Sequence, residues 1–325
     1  MNITVAGNTS LAYYCLEKLC RAGYPVKTIL LPRKGFIESS DTVDSSGLAG
    51  EFDLKKIQLP SSNNFKNDTQ TDLLVKLEWP ENLSIPIKPT ITTISCNLSG
   101  QYGRGRLLDV AADIYKGESH TELQLFSESP QRGRDYQTKD IVDMITREVL
   151  SYSLIEINIL DDVRSLKTKA SVVYLRSLFD LLDSLGENGT MPDPFKREYV
   201  LSVANANREI DWKKNVMEIY NLVRSYTHPG PGAFTRFDER KLTVWRGHFF
   251  DFSDNVYNDV SPGTVLDVIE ELGIVIKAGV GSFLITRIQP AGAPELPARV
   301  WADEFHIKPG DRLSTHVNEP EEVIV

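Results

Sequence analysis

Asn97 closes a run of β-branched residues, Thr90 to Cys96, and opens the turn Asn97-Leu98-Ser99-Gly100-Gln101. The run reads as a strand, and an amide at the carboxyl end of a parallel strand stands where such sheets bind ligands. From there it can donate to an oxygen that gains negative charge during a reaction. The plainer alternative is an Asx turn that ends the strand. Just beyond, Tyr102, Arg104 and Arg106 are interleaved with Gly103 and Gly105. Forked guanidinium groups on such a loop suit a phosphate or a carboxylate. The competing reading is a surface loop held by local acids such as Asp109. His120 is the sole histidine of the N-terminal half, and the imidazole, as a residue type suited to proton transfer at neutral pH, makes it a candidate base. Its place in Gly117-Glu118-Ser119-His120 also suits an exposed turn.

These residues need a scaffold, and the N-terminus supplies one. Ile3 to Ala6 is a buried-strand pattern, and Gly7-Asn8-Thr9-Ser10 leads into an amphipathic helix with Leu11, Cys15, Leu16 and Leu19 on one side. The helix stops at Gly23, and Val26 to Leu31 reads as a second strand, which gives a β-α-β unit and a parallel sheet. Gly7 to Ala12 lacks the three glycines that bring a pyrophosphate to a helix N-terminus, so a dinucleotide site is not expected.

From Pro32 to Thr71 the pattern dissolves into polar residues and predicts loops and a mobile insertion. Further strands are expected at Asp72 to Leu77 and Leu123 to Phe126, and a helix at Leu107 to Lys116. Asp162 is expected to cap a long helix to Gly186 through Leu166, Val173, Leu178 and Leu181 or Leu182. The grammar changes after Gly189-Thr190-Met191-Pro192-Asp193-Pro194. Asp211 is expected to cap a helix to about Tyr226, and short strands then recur at Ala233 to Phe237, Leu242 to Trp245, Gly263 to Val268, Ile274 to Lys277 and Phe283 to Ile288. That spacing predicts a small barrel. His228, in the Pro/Gly segment, reads as a spacer, and Trp212 and Trp245 as core or interdomain anchors.

Length and charge set the outer limits. The 325 residues suggest about two domains. A net charge of −9 argues against a broad phosphate-binding face, so nucleic acid is not the expected partner. The three cysteines, Cys15, Cys20 and Cys96, form neither a disulfide framework nor a metal motif. The N-terminus does not read as a signal peptide, and no apolar run approaches the roughly 18 residues of a membrane helix. The expected location is the cytoplasm, with no membrane and no metal.

The sequence also resembles a known family. Val5-Ala6-Gly7-Asn8-Thr9, Cys15 to Leu19 and Ala22-Gly23-Tyr24-Pro25-Val26 look like the opening of the formyltransferases, a family that includes methionyl-tRNA formyltransferase and sugar N-formyltransferases. Six further landmarks follow in order: Ile210-Asp211-Trp212, Glu218 to Arg224, Pro231 to Thr235, Leu242 to Trp245, Pro262 to Leu266 and Pro309 to Leu313. The resemblance implies an α/β protein with a Rossmann-like domain over 1–190, including a variable insertion at 32–71, and an OB-like β-barrel domain over 206–325. It also implies formyl transfer from N10-formyltetrahydrofolate to a small amine such as a nucleotide-linked amino sugar.

In that family an Asn-x-His pair and a distant Asp serve the tetrahedral oxyanion and the ammonium proton. Asn97-Leu98 matches, but Ser99 stands where the His belongs, and Gly100 to Arg106 keep only a Tyr-x-Arg-Gly echo. The Asp position falls on Asp135, in Gly133-Arg134-Asp135, or on Gln137, depending on a two-residue insertion. His120 is the candidate replacement for the missing base. Weakened transfer is therefore one expectation, and a catalytically inactive binding or regulatory module is the alternative.

Overall fold

The computed structural model describes residues 1–32, 42–59, 71–79, 85, 92–98, 107–130, 145–188, 207–238, 240–250, 257 and 259–314; at 96–98, 107–110, 128–130, 145–148 and 187–188 it describes the backbone alone. Two compact units emerge. The first comprises Met1–Val110, Ser119–Ile157 and Ser165–Val203, and the second Ala111–Glu118, Asn158–Arg164 and Ala204–Val325.

The first unit is built on a seven-stranded sheet. β1 (Ile3–Ala6) is buried along its length, as a central parallel strand must be, and its one polar side chain, Thr4, shares a hydrogen bond with Thr71. α1 (Ser10–Arg21) follows, capped by the Thr9 hydroxyl at Ala12 N, with Leu11, Cys15, Leu16 and Leu19 buried as the spacing predicts. β2 (Val26–Leu31), α2 (Ser46–Glu51), β3 (Lys55–Gln58), β4 (Leu73–Leu77) and β5 (Thr92–Leu98) come next. The segment read as loops thus contributes α2 and the edge strand β3, which pairs with β2. Its short islands were enough: Leu48 and Ala49 are buried in α2, and the half-buried Ile57 of β3 packs against the cluster of Ala6, Leu30 and Leu74.

α3 (Leu107–Lys116) leads to β6 (His120–Pro130) and β7 (Ile145–Glu156), a long hairpin of which only the centre of β6 was predicted. The strand order is β3-β2-β1-β4-β5-β6-β7. The first five strands are parallel, and β6 and β7 run antiparallel to their predecessors. α4 (Val163–Asn188) begins after Asp162 as predicted and buries Leu166, Ala170, Tyr174, Leu178, Leu181 and Leu182; Tyr174 takes the core place expected of Val173.

In the second unit α5 (Val216–Tyr226) starts four residues later than expected. Asn215 is its cap, in a capping box with Glu218. Asp211 instead closes the preceding turn, accepting from Lys213 N at 3.0 Å. β8 (Ala233–Phe237), β9 (Arg240–Phe250), β10 (Val265–Ile269), β11 (Gly273–Lys277), β12 (Ser282–Pro290) and β13 (Leu296–Pro297) form an antiparallel sheet in the order β10-β11-β12-β9-β8, with β13 on β12. Residues 311–314 bond to both ends of that path, at Val265 and Gly263 beside β10 and at Arg236 in β8. α6 (Ala298–Glu304) places Trp301 on the core. Trp212 is 2% exposed, and its indole donates to Thr235 Oγ1 at 2.9 Å, so it is a core anchor.

Arg224 holds this unit together internally. It is 7% exposed, and its Nη1 donates to the carbonyls of Asn158, Ile159 and Asp161 at 2.9, 3.3 and 2.6 Å. Nε donates to Asn221 Oδ1 at 3.0 Å. His228 also does more than space the chain, for its ring stacks on Trp245 at 3.7 Å and shares a hydrogen bond with Glu295.

Candidate functional site

The parallel strands of the first unit all end at one edge of the sheet, and polar residues line up along it. Gly7 follows β1 with φ +155, and a methyl added there would lie 2.6 Å from the Leu77 carbonyl oxygen and 2.8 Å from Ala12 Cβ. Only glycine permits this approach of the first turn to the end of β4. Asn8 and Glu78, the next residues of the two segments, are thereby brought to the same edge. Asn8 Oδ1 is buried without a hydrogen-bond donor.

Glu78 lies within 3.1 Å of Lys167 Nζ, and these side chains are 6% and 7% exposed. Glu78 Oε2 nonetheless receives no aligned hydrogen bond, so the pair is held by charge rather than by a directed contact. Cys15 sits close enough to feel it: burial first, and the Glu78 charge second, push its thiol well above the usual range. A thiol so held is not a nucleophile.

Leu77 pairs with Cys96, which places Asn97 beside Glu78. On the other side Asn97 pairs with Gln124 of β6, and Gln124 with Tyr152 of β7. Because β6 is antiparallel, its amino end lies at the edge where β5 finishes, and His120, Glu122 and Gln124 run along one side of it toward Asn97. Glu122 and Gln124 are buried, and Gln124 Nε2 donates to Glu122 Oε1 at 2.8 Å. His120 is exposed, with Nδ1 2.9 Å from Ser119 Oγ. Opposite them on β7, Tyr152 and Leu154 expose large apolar side chains.

Of the residues singled out from sequence, the structure brings Asn97 and His120 to this common edge. Ser99, Tyr102, Arg104, Arg106, Asp135 and Gln137 lie outside the described residues. The strand ends that flank 131–144, Pro130 and Ile145, belong to the opposite edge, where β5 begins. Five residues at or against the edge escaped the sequence reading: Asn8, Glu78, Lys167, Glu122 and Gln124. The last two stand at alternate positions of an otherwise apolar strand, a pattern that ordinarily marks a solvated face.

The Asn8 amide oxygen can accept from an N–H donor, and the ladder sets Asn97 between Glu78 and Gln124 at this edge. Among the described residues no set of three or more His, Cys, Asp or Glu gathers as for a metal, and no helix is long and apolar enough to cross a membrane.

Comparison with known proteins agrees with the family resemblance. Residues 203–306 match the formyl transferase C-terminal domain. A methionyl-tRNA formyltransferase of Natranaerobius thermophilus is 26% identical over 170 residues, 51% of this chain and 53% of that protein. The chain thus spans about half the length of such relatives. HypX from Aquifex aeolicus, solved in complex with tetrahydrofolic acid, shares the fold at TM-score 0.61 and 15% identity, over 96% of this chain and 50% of that one. An N-formyltransferase from Helicobacter canadensis, in complex with folinic acid and dTDP-3-aminofucose, aligns at TM-score 0.57 and 15% identity, over 89% of this chain and 98% of that one.

Proposed function

From a chain of the formyltransferase family, which carries that family's C-terminal domain on a Rossmann-like sheet, we propose an N-formyltransferase. It would move a formyl group from N10-formyltetrahydrofolate to a small amine such as a nucleotide-linked amino sugar. The observation that carries this reading is the row Asn8, Glu78, Asn97 and Gln124 along the edge where the parallel strands end. The buried oxygen of Asn8, which has no donor, suits an N–H group of a pterin, so this end of the sheet fits a folate. The folate supplies the activated formyl group. Asn97 would donate to the formyl oxygen, with Ser99 beside it, while Asp135 or His120 would handle the proton. Tyr102, Arg104 and Arg106 would hold the acceptor's phosphate or carboxylate.

In this reading the catalytic domain spans 1–190 and an OB-like barrel spans 206–325. The bonding of 311–314 to both β10 and β8 supports closure of the second sheet. The named relatives include methionyl-tRNA formyltransferases, but a net charge of −9 offers RNA little electrostatic attraction, and this favours a small acceptor in the cytoplasm.

The second reading, an inactive binding or regulatory module, is favoured by Ser99 in the place of the family's His. A titration with tetrahydrofolate and N10-formyltetrahydrofolate, followed by amine-dependent turnover, separates the two. Binding with turnover supports the transferase, binding alone supports the module, and the absence of folate binding rejects the transferase.

A further inference from the structure

The seven-stranded sheet ends in two unlike edges. β3 is four residues long and exposes Lys55 and Lys56, a short and charged edge that discourages further pairing. β7 is twelve residues long and contains neither lysine nor proline. Among the described residues no strand pairs with its far side.

The hydrogen-bond pattern shows what that side offers. Ile157 N donates to Ser119 O at 2.8 Å, so the pairs in step with it, Ile155 with Thr121 and Ser153 with Leu123, are those that exchange bonds across the hairpin. Tyr152, Leu154 and Glu156 alternate with them, and their N–H and C=O groups point away from β6. The Glu156 carbonyl agrees, for it accepts from Lys169 Nζ at 3.3 Å. The same residues turn their side chains outward: Tyr152 is 46% and Leu154 64% exposed, and Glu156 is exposed as well. A register shift at Leu150 limits the regular part of this edge to Ser151 through Glu156.

An edge that presents backbone donors, backbone acceptors and large apolar side chains at the same positions is a template for another strand. Its own copy fits it. An antiparallel pairing about a two-fold axis at Leu154 sets Leu154 against the partner's Leu154, and Tyr152 against the partner's Glu156. All three outward-facing residues then exchange backbone bonds, apolar meets apolar at the centre, and each phenol stands beside a carboxylate able to accept from it. The two glutamates fall at opposite ends of the pairing, so like charges do not face each other.

We propose that β7 is a homodimerisation edge, which pairs with β7 of a second copy about Leu154 and joins the two sheets into one. The assembly closes at two copies, because the two-fold consumes this edge on both chains and the lysines guard the edge at β3. It does not depend on the formyl-transfer reading.

Sedimentation equilibrium of the full chain is the first measurement. The expected mass is twice 36.5 kDa, falling toward that of one chain on dilution. Leu154→Lys sets like charges together at the axis and is expected to raise the dimer dissociation constant by about a hundredfold or more, the scale of two leucine side chains returned to water. Circular dichroism checks that the variant folds, and if it does not, Leu154→Cys decides. Opposite residues that exchange bonds lie about 5.5 Å apart at Cα, within disulfide reach. Mild oxidation is therefore expected to link two Leu154→Cys chains, and to leave Tyr152→Cys unlinked because its own copy lies at the far end of the pairing. A parent chain that sediments as a monomer overturns the proposal. So does a Leu154→Lys dimer as tight as the parent's, or linking of Tyr152→Cys in place of Leu154→Cys.

Discussion

Replacing Arg224 with Met removes a buried guanidinium and leaves three backbone carbonyls, those of Asn158, Ile159 and Asp161, without their donor. Tyr220 Oη, which donates to Ile159 O at 3.0 Å, can relieve one of them. Charged hydrogen bonds contribute about 1.5 to 3 kcal/mol each. Against this, burial holds the Arg224 pKa below its ordinary value, the mark of a desolvation cost that the substitution returns. The net loss should be about 3 to 5 kcal/mol, as for other buried charged groups whose partners are left behind. Urea unfolding followed by tryptophan fluorescence reads this unit preferentially, since Trp212, Trp245 and Trp301 lie in it and only Trp79 in the other. With a slope of about 1 to 3 kcal/mol/M the midpoint should fall by about 1 M or more. Asn221→Ala, which removes only the acceptor of Nε, should cost less, about 1.5 to 3 kcal/mol for a single charged hydrogen bond. A fall of under about 0.3 M for Arg224→Met would refute the reasoning, because the carbonyls would then have found other donors.

Gly7→Ala should destabilise the first unit by about 2 kcal/mol or more, because its methyl meets Leu77 O and Ala12 Cβ at a positive φ; an unchanged thermal midpoint would reject the close approach. Formyl transfer should run well below about 10 per second, since losing one oxyanion donor costs about 2.7 to 4 kcal/mol. Ser99→His alone should not restore it, as the following loop also departs from the family, and an ordinary kcat in the parent chain would contradict both statements. Burial raises the Glu295 carboxyl pKa, but hydrogen bonds from His228 and Arg287 outweigh that and hold it below the ordinary value. Its stabilisation is therefore complete above the unfolded carboxylate pKa and lost as pH falls through the lower folded one. Melting temperatures over roughly pH 2 to 5 should accordingly show a shallower acid decline for Glu295→Gln, and parallel curves would count against the pairing.

The order of strand, turn and helix from Ile3 to Leu31 was readable because a glycine, a cap and clean periodicities coincide there. β7 was not, since Thr146-Arg147-Glu148 and Ser151-Tyr152-Ser153 break the apolar pattern that a strand in a sheet usually shows. At α5 the sequence reading took Asp211 as the cap, and Glu218, three positions after Asn215, was the sign that would have placed it at Asn215 instead. Asn97 and His120 could be nominated from type and position, but the pairing of Glu78 with Lys167 joins residues far apart in sequence and needed the fold. Glu122 and Gln124 carried the opposite message in sequence, because polar residues at alternate positions normally signal a solvated strand face.

The reversal of direction between β5 and β6 has a bearing on how such a protein can change over time. In an all-parallel sheet the reacting groups sit on connections that leave the strand ends, so altering a connection alters chemistry and recognition together. Here the antiparallel neighbour presents side chains at the same rim from within a ladder, where their spacing is set by backbone pairing along the whole hairpin. Insertions and substitutions in the adjoining turns can then redirect which molecule is accepted while the ladder-borne groups keep their places. One rim thus joins a connection that can change freely to a ladder whose register ties its residues in place.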